Sequence, residues 1–177
     1  MKTITIALTG NPNAGKSTLF NALTGENQHV GNWPGKTVER KEGSFIHQDV
    51  QIKVIDLPGV YSLSSFSPEE EVTRDYLVKE DYDLVVNVLD TSNLERNLYL
   101  TVQVKEIGAP MVIVLNKSDI ATQKGYQINV ENLSKELGNV PIIQAAAKSG
   151  KGLAELKDLV INHIQSSTKV PANEIRS

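Results

Sequence analysis

The stretch Gly10-Asn11-Pro12-Asn13-Ala14-Gly15-Lys16-Ser17 lies between a short β-rich run, Ile4 to Thr9, and a segment with helical spacing, Lys16 to Thr24. No other feature of the chain restricts its fold so strongly. Its glycines let the backbone turn tightly and aim successive N–H groups inward. With a helix N-terminus beside them, those groups form a nest for anionic oxygens. Lys16 can reach the β- and γ-phosphates of a nucleotide, and the Ser17 hydroxyl is a ligand for Mg²⁺. Thr18 continues the helix that starts there. Large side chains would block the approach of the phosphates. The competing reading is a Gly-rich turn that merely precedes Lys-Ser; the strand–helix context favours phosphate binding.

A strand, a loop and a helix of this kind belong to an α/β fold, and the rest of the chain continues the alternation. Residues 26 to 38, rich in Gly, Asn and Pro, read as a long loop. Residues 42 to 57 read as two strands around a turn near His47–Asp49, and 57 to 67 as a second irregular stretch. Ser67-Pro68-Glu69-Glu70 opens a helix, with Pro and acids in its first turn. Leu84 to Leu89 and Met111 to Leu115 are buried strands, with a helix from Leu94 to Ile107 between them. Val130 to Leu137 reads as a short helix, Pro141 to Gln144 as a strand and Leu153 to Gln165 as a final helix. The expected architecture is a mostly parallel six-stranded sheet with one antiparallel edge strand and helices on both faces. Ligands bind such sheets outside the carboxyl ends of the strands.

Composition narrows the function further. The 177 residues suit one domain. A net charge of −3 argues against bulk attraction to nucleic acid or an anionic membrane. The chain has no Cys, so disulfides, thiolate nucleophiles and cysteine metal sites are excluded. The apolar run at the N-terminus is broken by Thr and ends in Gly, unlike a signal peptide. No stretch approaches the roughly 18 apolar residues of a membrane helix.

Three further motifs follow strands. In Asn116-Lys117-Ser118-Asp119 the Asp119 carboxylate can accept two hydrogen bonds from guanine, which adenine cannot supply. Asn116 would contact the base edge and tie this loop to the phosphate loop, and the Lys117 stem could lie along the nucleotide. The competing reading is a polar turn after a strand. In Asp56-Leu57-Pro58-Gly59, Asp56 can hold Mg²⁺ through a water and the Gly59 N–H can meet the γ-phosphate. Thr37 is the natural second hydroxyl ligand for Mg²⁺. The loops that hold Thr37 and Gly59 would be ordered by the γ-phosphate and released after hydrolysis. After the last strand, Ala145-Ala146-Ala147-Lys148 could give a backbone N–H to the guanine O6.

Taken together, GNPNAGKS, Thr37, DLPG, NKSD and AAAKSG resemble the five motifs of small GTPases of the translation-factor-related class. The loops HVGNWPGKTVERKEG (29–43), DLPGVYSLSSFSPEE (56–70) and DTSNLERNLYLTVQ (90–103) are more specific. They resemble the G domain of the ferrous-iron transport protein B (FeoB) family. The resemblance implies a three-layer Ras-like fold over residues 1–166. It also implies Mg-dependent hydrolysis of GTP to GDP, with nucleotide contacts extending to Gly35. Family members continue into a helical domain that restrains GDP release and then into transmembrane helices. Residues 167–177 are accordingly expected to be a linker or the start of that helical domain. The G domain is expected at the cytoplasmic face of a prokaryotic plasma membrane, with oligomers possible through the switch or membrane regions. Nucleic acid is not an expected partner. The rival functions are a soluble GTPase acting on RNA or ribosomes and a binding module without turnover.

Two departures from the common GTPase pattern bear on chemistry. Ala146 stands where a Ser or Thr usually braces the base-binding loop. Val60 stands where many GTPases have a water-orienting Gln, which agrees with the FeoB pattern. A monovalent ion is the expected substitute for an arginine finger. Potassium would be coordinated by the Asn13 side chain and the backbone carbonyls of Gly31 and Trp33, as in the potassium-activated GTPases that FeoB resembles. Arg40, Arg74 and Arg96 read as surface charges rather than fingers. His29, His47 and His163 are too scattered to form a metal site. Trp33 either packs against the domain or anchors its loop over the nucleotide.

Overall fold

The computed structural model describes residues 1–64 and 66–167. The tail 168–177 therefore lies outside the described residues, and with it nearly all of the expected linker; Ser167 ends the last helix. The strands are β1 (Lys2–Gly10), β2 (Gln28–Asn32), β3 (Glu39–His47), β4 (Val50–Asp56), β5 (Leu84–Asp90), β6 (Met111–Asn116) and β7 (Ile142–Gln144). The helices are α1 (Lys16–Thr24), α2 (Pro68–Lys79), α3 (Leu94–Ile107), α4 (Ser118–Gln123), α5 (Val130–Glu136) and α6 (Leu153–Ser167). A single 3-10 turn, Thr91–Asn93, precedes α3.

The strands form one sheet in the order β2-β3-β4-β1-β5-β6-β7. The mostly parallel sheet with an antiparallel edge is as expected; the strand count is corrected. The sheet has seven strands, not six, because Gln28–Asn32 pairs antiparallel with Glu39–Gly43. The reversed strand β3 consequently lies second from the edge, and β2 occupies the edge. The sequence QHVGN lacks alternation and is exposed throughout, so its extended form is imposed by the ladder that β3 offers.

Alternation along the central strands divides the core. Ile6, Leu8, Val86, Val88, Val112 and Val114 face Leu19, Phe20 and Leu23 of α1 and Leu156, Val160 and Ile161 of α6. Ala7, Val85, Leu89, Ile113 and Leu115 face the other way, against Val72, Tyr76 and Leu77 of α2 and Leu100 and Val104 of α3. Helix boundaries follow local chemistry. The Ser67 hydroxyl caps α2 by accepting the Glu70 N–H at 3.1 Å, with Pro68 in the first turn. Gly108 closes α3 in the left-handed region.

Parallel register then builds a rim. Leu8 lies beside Asp56, and Asp90 lies beside Asn116. Gly10, Asp56, Asp90 and Asn116 therefore end four adjacent strands at the same side of the sheet, where all the motif loops emerge.

Candidate functional site

The phosphate loop leaves β1 at Gly10 and enters α1 at Lys16. Asn13 and Gly15 both take the left-handed conformation, with φ of 70° and 89°. At Gly15 a side chain is also excluded by space, since a Cβ there would lie 2.1 Å from the Asn116 amide nitrogen. The loop bounds a cavity of about 580 Å³ lined by Asn11, Pro12, Asn13, Gly15, Lys16, Ser17, Thr18, Gly59 and Lys117. Gly10 and Ala14 are buried behind it. An adjoining cavity of about 280 Å³ brings Lys16 and Ser17 together with Thr37, Asp56, Gly59 and Glu69. The Lys16 ammonium and the Asp56 carboxylate form a buried ion pair on its floor. Gly59 is pressed against Pro12, with a hypothetical Cβ only 3.3 Å away, and the Val60 N–H donates to the Gly10 carbonyl at 3.2 Å.

Braces on the opposite side of the phosphate loop are numerous, and those made by Asn116 are buried. The Asn116 amide donates to the Ala14 carbonyl at 3.0 Å, and its oxygen accepts the Ala147 N–H at 3.0 Å. One side chain thus ties three of the motifs together. Lys117, left-handed at φ 58°, donates to the Asn13 carbonyl at 2.6 Å and to Asp90 at 3.2 Å. The Ser118 N–H donates to the Ala145 carbonyl at 3.0 Å. Asp119 is exposed in the first turn of α4.

In the last motif the Ala145, Ala146 and Ala147 N–H groups donate to Leu115, Lys151 and the Asn116 side chain. Among the described residues, only the Lys148 N–H of that tetrad has no protein acceptor. Ala146 also pairs with Lys151 through both of its backbone groups, a brace that uses no side chain.

The switch-side residues are placed differently. Gly35 and Thr37 are exposed, Gly35 with φ 70°. Gly31 lies within β2, opposite Arg40. Trp33 turns inward and is 8% exposed, edge-on to Tyr76 at 5.7 Å between centroids, with the Arg40 guanidinium over its other face at 4.5 Å. Trp33 thus packs its ring into the domain, which also fastens its loop there. Its carbonyl accepts the Lys36 N–H at 3.0 Å. Arg40 is committed to Trp33 and Glu42, and Arg96 stacks on Tyr61.

Several residues were missed in the sequence. Asp90 holds Lys117, and the Thr91 hydroxyl donates to the Asn116 carbonyl at 2.5 Å. The signal was present as a carboxylate at a strand end followed by Thr-Ser, a turn-capping pattern. Glu70, in the first turn of α2, accepts from Ser64 at 2.7 Å and Ser62 at 3.1 Å of the loop after Gly59, and the Ser64 bond leads the interactions that hold its carboxyl below the usual range.

Comparison with known proteins decides the family. The model of the family described as ferrous iron transport protein B matches residues 4–160. The chain belongs to that family. It is 51% identical over 168 residues to the Fe(2+) transport protein A/Fe(2+) transporter FeoB fusion protein of Porphyromonas gingivalis, covering 94% of this chain and 20% of that one. The chain thus spans about a fifth of the length of the curated relatives it matches. Among solved structures it is similar to the FeoB G-domain from Methanococcus jannaschii, with TM-score 0.84 and 47% identity, covering 93% of this chain and 99% of that one. It is also similar to the cytosolic domain of the T. maritima FeoB iron transporter in GDP and GMPPNP forms, each with TM-score 0.89, 44% identity, and 92% and 64% coverage. The α/β fold with G-domain connectivity and the FeoB family both stand, and a soluble GTPase acting on RNA is not favoured.

Proposed function

We propose that this chain binds and hydrolyses GTP, and that it is the switch domain of a longer ferrous-iron transporter. The observation that carries the reading is Asn116, which joins the phosphate loop, the NKSD strand end and the Ala-rich loop through two buried hydrogen bonds. Asp119 and the Lys148 N–H belong to the two loops that this frame ties to the phosphate loop. Guanine is the base whose edge offers two donors to a carboxylate and an acceptor to an N–H. The relatives' names supply the iron, and the T. maritima structures supply the GDP and GMPPNP forms. Residues 1–166 are then the G domain and the tail leads toward a helical domain and membrane helices, at the cytoplasmic face. No helix among the described residues is long and apolar enough to cross a membrane.

The work of phosphoryl transfer here is positioning and charge stabilisation. The backbone N–H groups of Asn13 and of Gly15 to Thr18 would cradle phosphate oxygens, the Ala14 N–H being spent on the Asn11 carbonyl at 3.1 Å; Lys16 adds a cation, and Gly59 lines the same cavity. Val60 is 4% exposed, so no side chain at that place orients water. The oxygens of Ser17, Thr37 and Asp56 around one cavity suit a hard divalent cation. They would hold Mg²⁺, which would neutralise charge on the phosphates. For potassium, the Asn13 side chain is exposed and makes no hydrogen bond to the described residues, and the Trp33 carbonyl keeps one lone pair beyond its bond to Lys36. Potassium held by Asn13 with the Gly31 and Trp33 carbonyls would place positive charge beside the β- and γ-phosphates.

Two measurements test this. Asp119→Asn should weaken GTP binding by at least about 1–3 kcal/mol, the scale of a mispaired buried group, and raise preference for xanthine nucleotides. Equal affinity of the unaltered chain for ATP and GTP overturns the assignment. Hydrolysis should be faster in KCl than in NaCl at matched ionic strength, and Asn13→Ala should remove that difference while keeping GDP binding. Equal rates in the two salts overturn the potassium assignment.

A further inference from the structure

The segment Asp90-Thr91-Ser92-Asn93 takes no part in the functional reading above, yet it touches both leading residues of the NKSD motif. We propose that Asp90 is a positioning residue for nucleotide binding: fixed on the turn after β5, its carboxylate clamps the Lys117 ammonium against the Asn13 carbonyl. This rests on the nucleotide reading above and extends it to a residue outside the five motifs.

The geometry gives Asp90 two faces. One oxygen accepts the Ser92 N–H at 2.9 Å and the Ser92 hydroxyl at 2.6 Å. The other meets Lys117 at 3.2 Å. The Asp90 N–H is held in turn by the Asn97 side chain of α3 at 3.1 Å. Asp90 is 7% exposed, so its charge faces little water. Burial alone would raise its carboxyl, but the bonds from Ser92 and Lys117 outweigh burial and hold it below the usual range. The result is a fixed anion at the rim, in register with Asn116.

Lys117 is thereby fastened at both ends. Its backbone lies between the end of β6 and the start of α4, and its ammonium is shared by Asn13 and Asp90. The stem between crosses the wall of the 580 Å³ cavity. A free lysine would lose the rotamer freedom of a long side chain when ligand arrives. Ordering it beforehand removes that cost from binding and should slow ligand release. The same ammonium pins the left-handed Asn13.

The competing role is local: Asp90 caps the 3-10 turn and does nothing for Lys117. Asp90→Asn separates the two, since the amide oxygen still accepts from Ser92 while the NH₂ group turns a donor toward the ammonium. The measurement is release of a fluorescent GDP from the full chain by stopped flow. We expect Asp90→Asn to accelerate release by about tenfold, with association changed by less than about twofold. In a Lys117→Met background the same substitution should add less than about twofold. Ser92→Ala, which loosens the cap and keeps the charge pair, should stay within about threefold of the unaltered chain. Release from Asp90→Asn within twofold of the unaltered chain overturns the proposal. So does an equal factor in both backgrounds, or an equal acceleration by Ser92→Ala. If Asp90→Asn does not fold, Asp90→Ser, also a capping residue, is measured against the same outcomes. A chain that binds GDP no better than ADP fails at the nucleotide reading itself, a result distinct from all of these.

Discussion

The two sides of the phosphate loop are built on opposite plans. Toward the base, Asn116, Lys117, Ser118 and Thr91 cross from one loop to the next by hydrogen bonds, those of Asn116 and Thr91 buried. Toward the γ-phosphate, Gly35 and Thr37 are exposed, and the segment that bears them is held at its flanks. Those holds are the turn from Trp33 to Lys36, the Trp33 N–H bond to the Val38 carbonyl and the insertion of the Trp33 ring against Tyr76, with the exposed Lys36–Glu71 ion pair at 3.2 Å as the tie between them. Rigid parts recognise what stays the same through a cycle, and parts held only at anchors respond to what changes. Guanine is common to GTP and GDP, whereas the γ-phosphate distinguishes them.

The hardest blow to this contrast should come from Asn116→Ala. It leaves the Ala14 carbonyl and the Ala147 N–H buried without a partner, each costing about 1–3 kcal/mol. Affinity for GDP and GTP should fall together, by roughly 100-fold or more. Isothermal titration of both nucleotides checks it, and a loss confined to GTP would contradict the division between the two sides.

Thr37→Ala tests the other side. Its hydroxyl serves the triphosphate state, so hydrolysis should slow by roughly tenfold or more while GDP affinity stays within a few-fold. Single-turnover hydrolysis beside GDP titration reads both quantities. An unaltered hydrolysis rate removes Thr37 from the candidate metal ligands, and a parallel loss of GDP affinity erases the contrast.

What was legible in the sequence follows the same division. Leu94 to Ile107 reads as a helix in the sequence, and α3 has those bounds, closed by Gly108. The motif loops fall at strand ends, as a phosphate loop after β1 requires. The strand at Gln28–Asn32 was not legible, because its polar, Gly-containing sequence carries no alternation and depends on β3 for pairing. The inward turn of Trp33 is a tertiary choice too, decided by Tyr76 more than forty positions away. Nor could spacing disclose that Lys16 pairs with Asp56, or that the Ala146 N–H goes to Lys151. Local chemistry announced which groups gather at the rim. Which hydrogen bonds they make with one another depended on the register of strands distant in the chain.

The smallest effect concerns the anchor. Tyr76 packs edge-on to Trp33 and stacks on Tyr82 at 5.8 Å. Burial, opposed by the nearby Arg40 charge, pushes its phenol from the ordinary 10 up to about 12. The folded value lies above the unfolded one, so the neutral phenol's contribution to stability is complete below pH 10 and is lost as pH rises through about 12. The unfolded chain releases the proton more readily across that window, and alkali therefore favours unfolding. Trp33 is the only tryptophan, so its emission reports this anchor directly. Between pH 10 and about 12 the emission should shift toward that of a wetter indole before bound GDP is released. Tyr76→Phe keeps the ring against Trp33 and removes the titrating hydroxyl, so it should flatten the emission change while leaving neutral-pH emission in place. If emission and GDP release move together in both proteins, the anchor is coupled to the base side, and the two halves of the site are one unit.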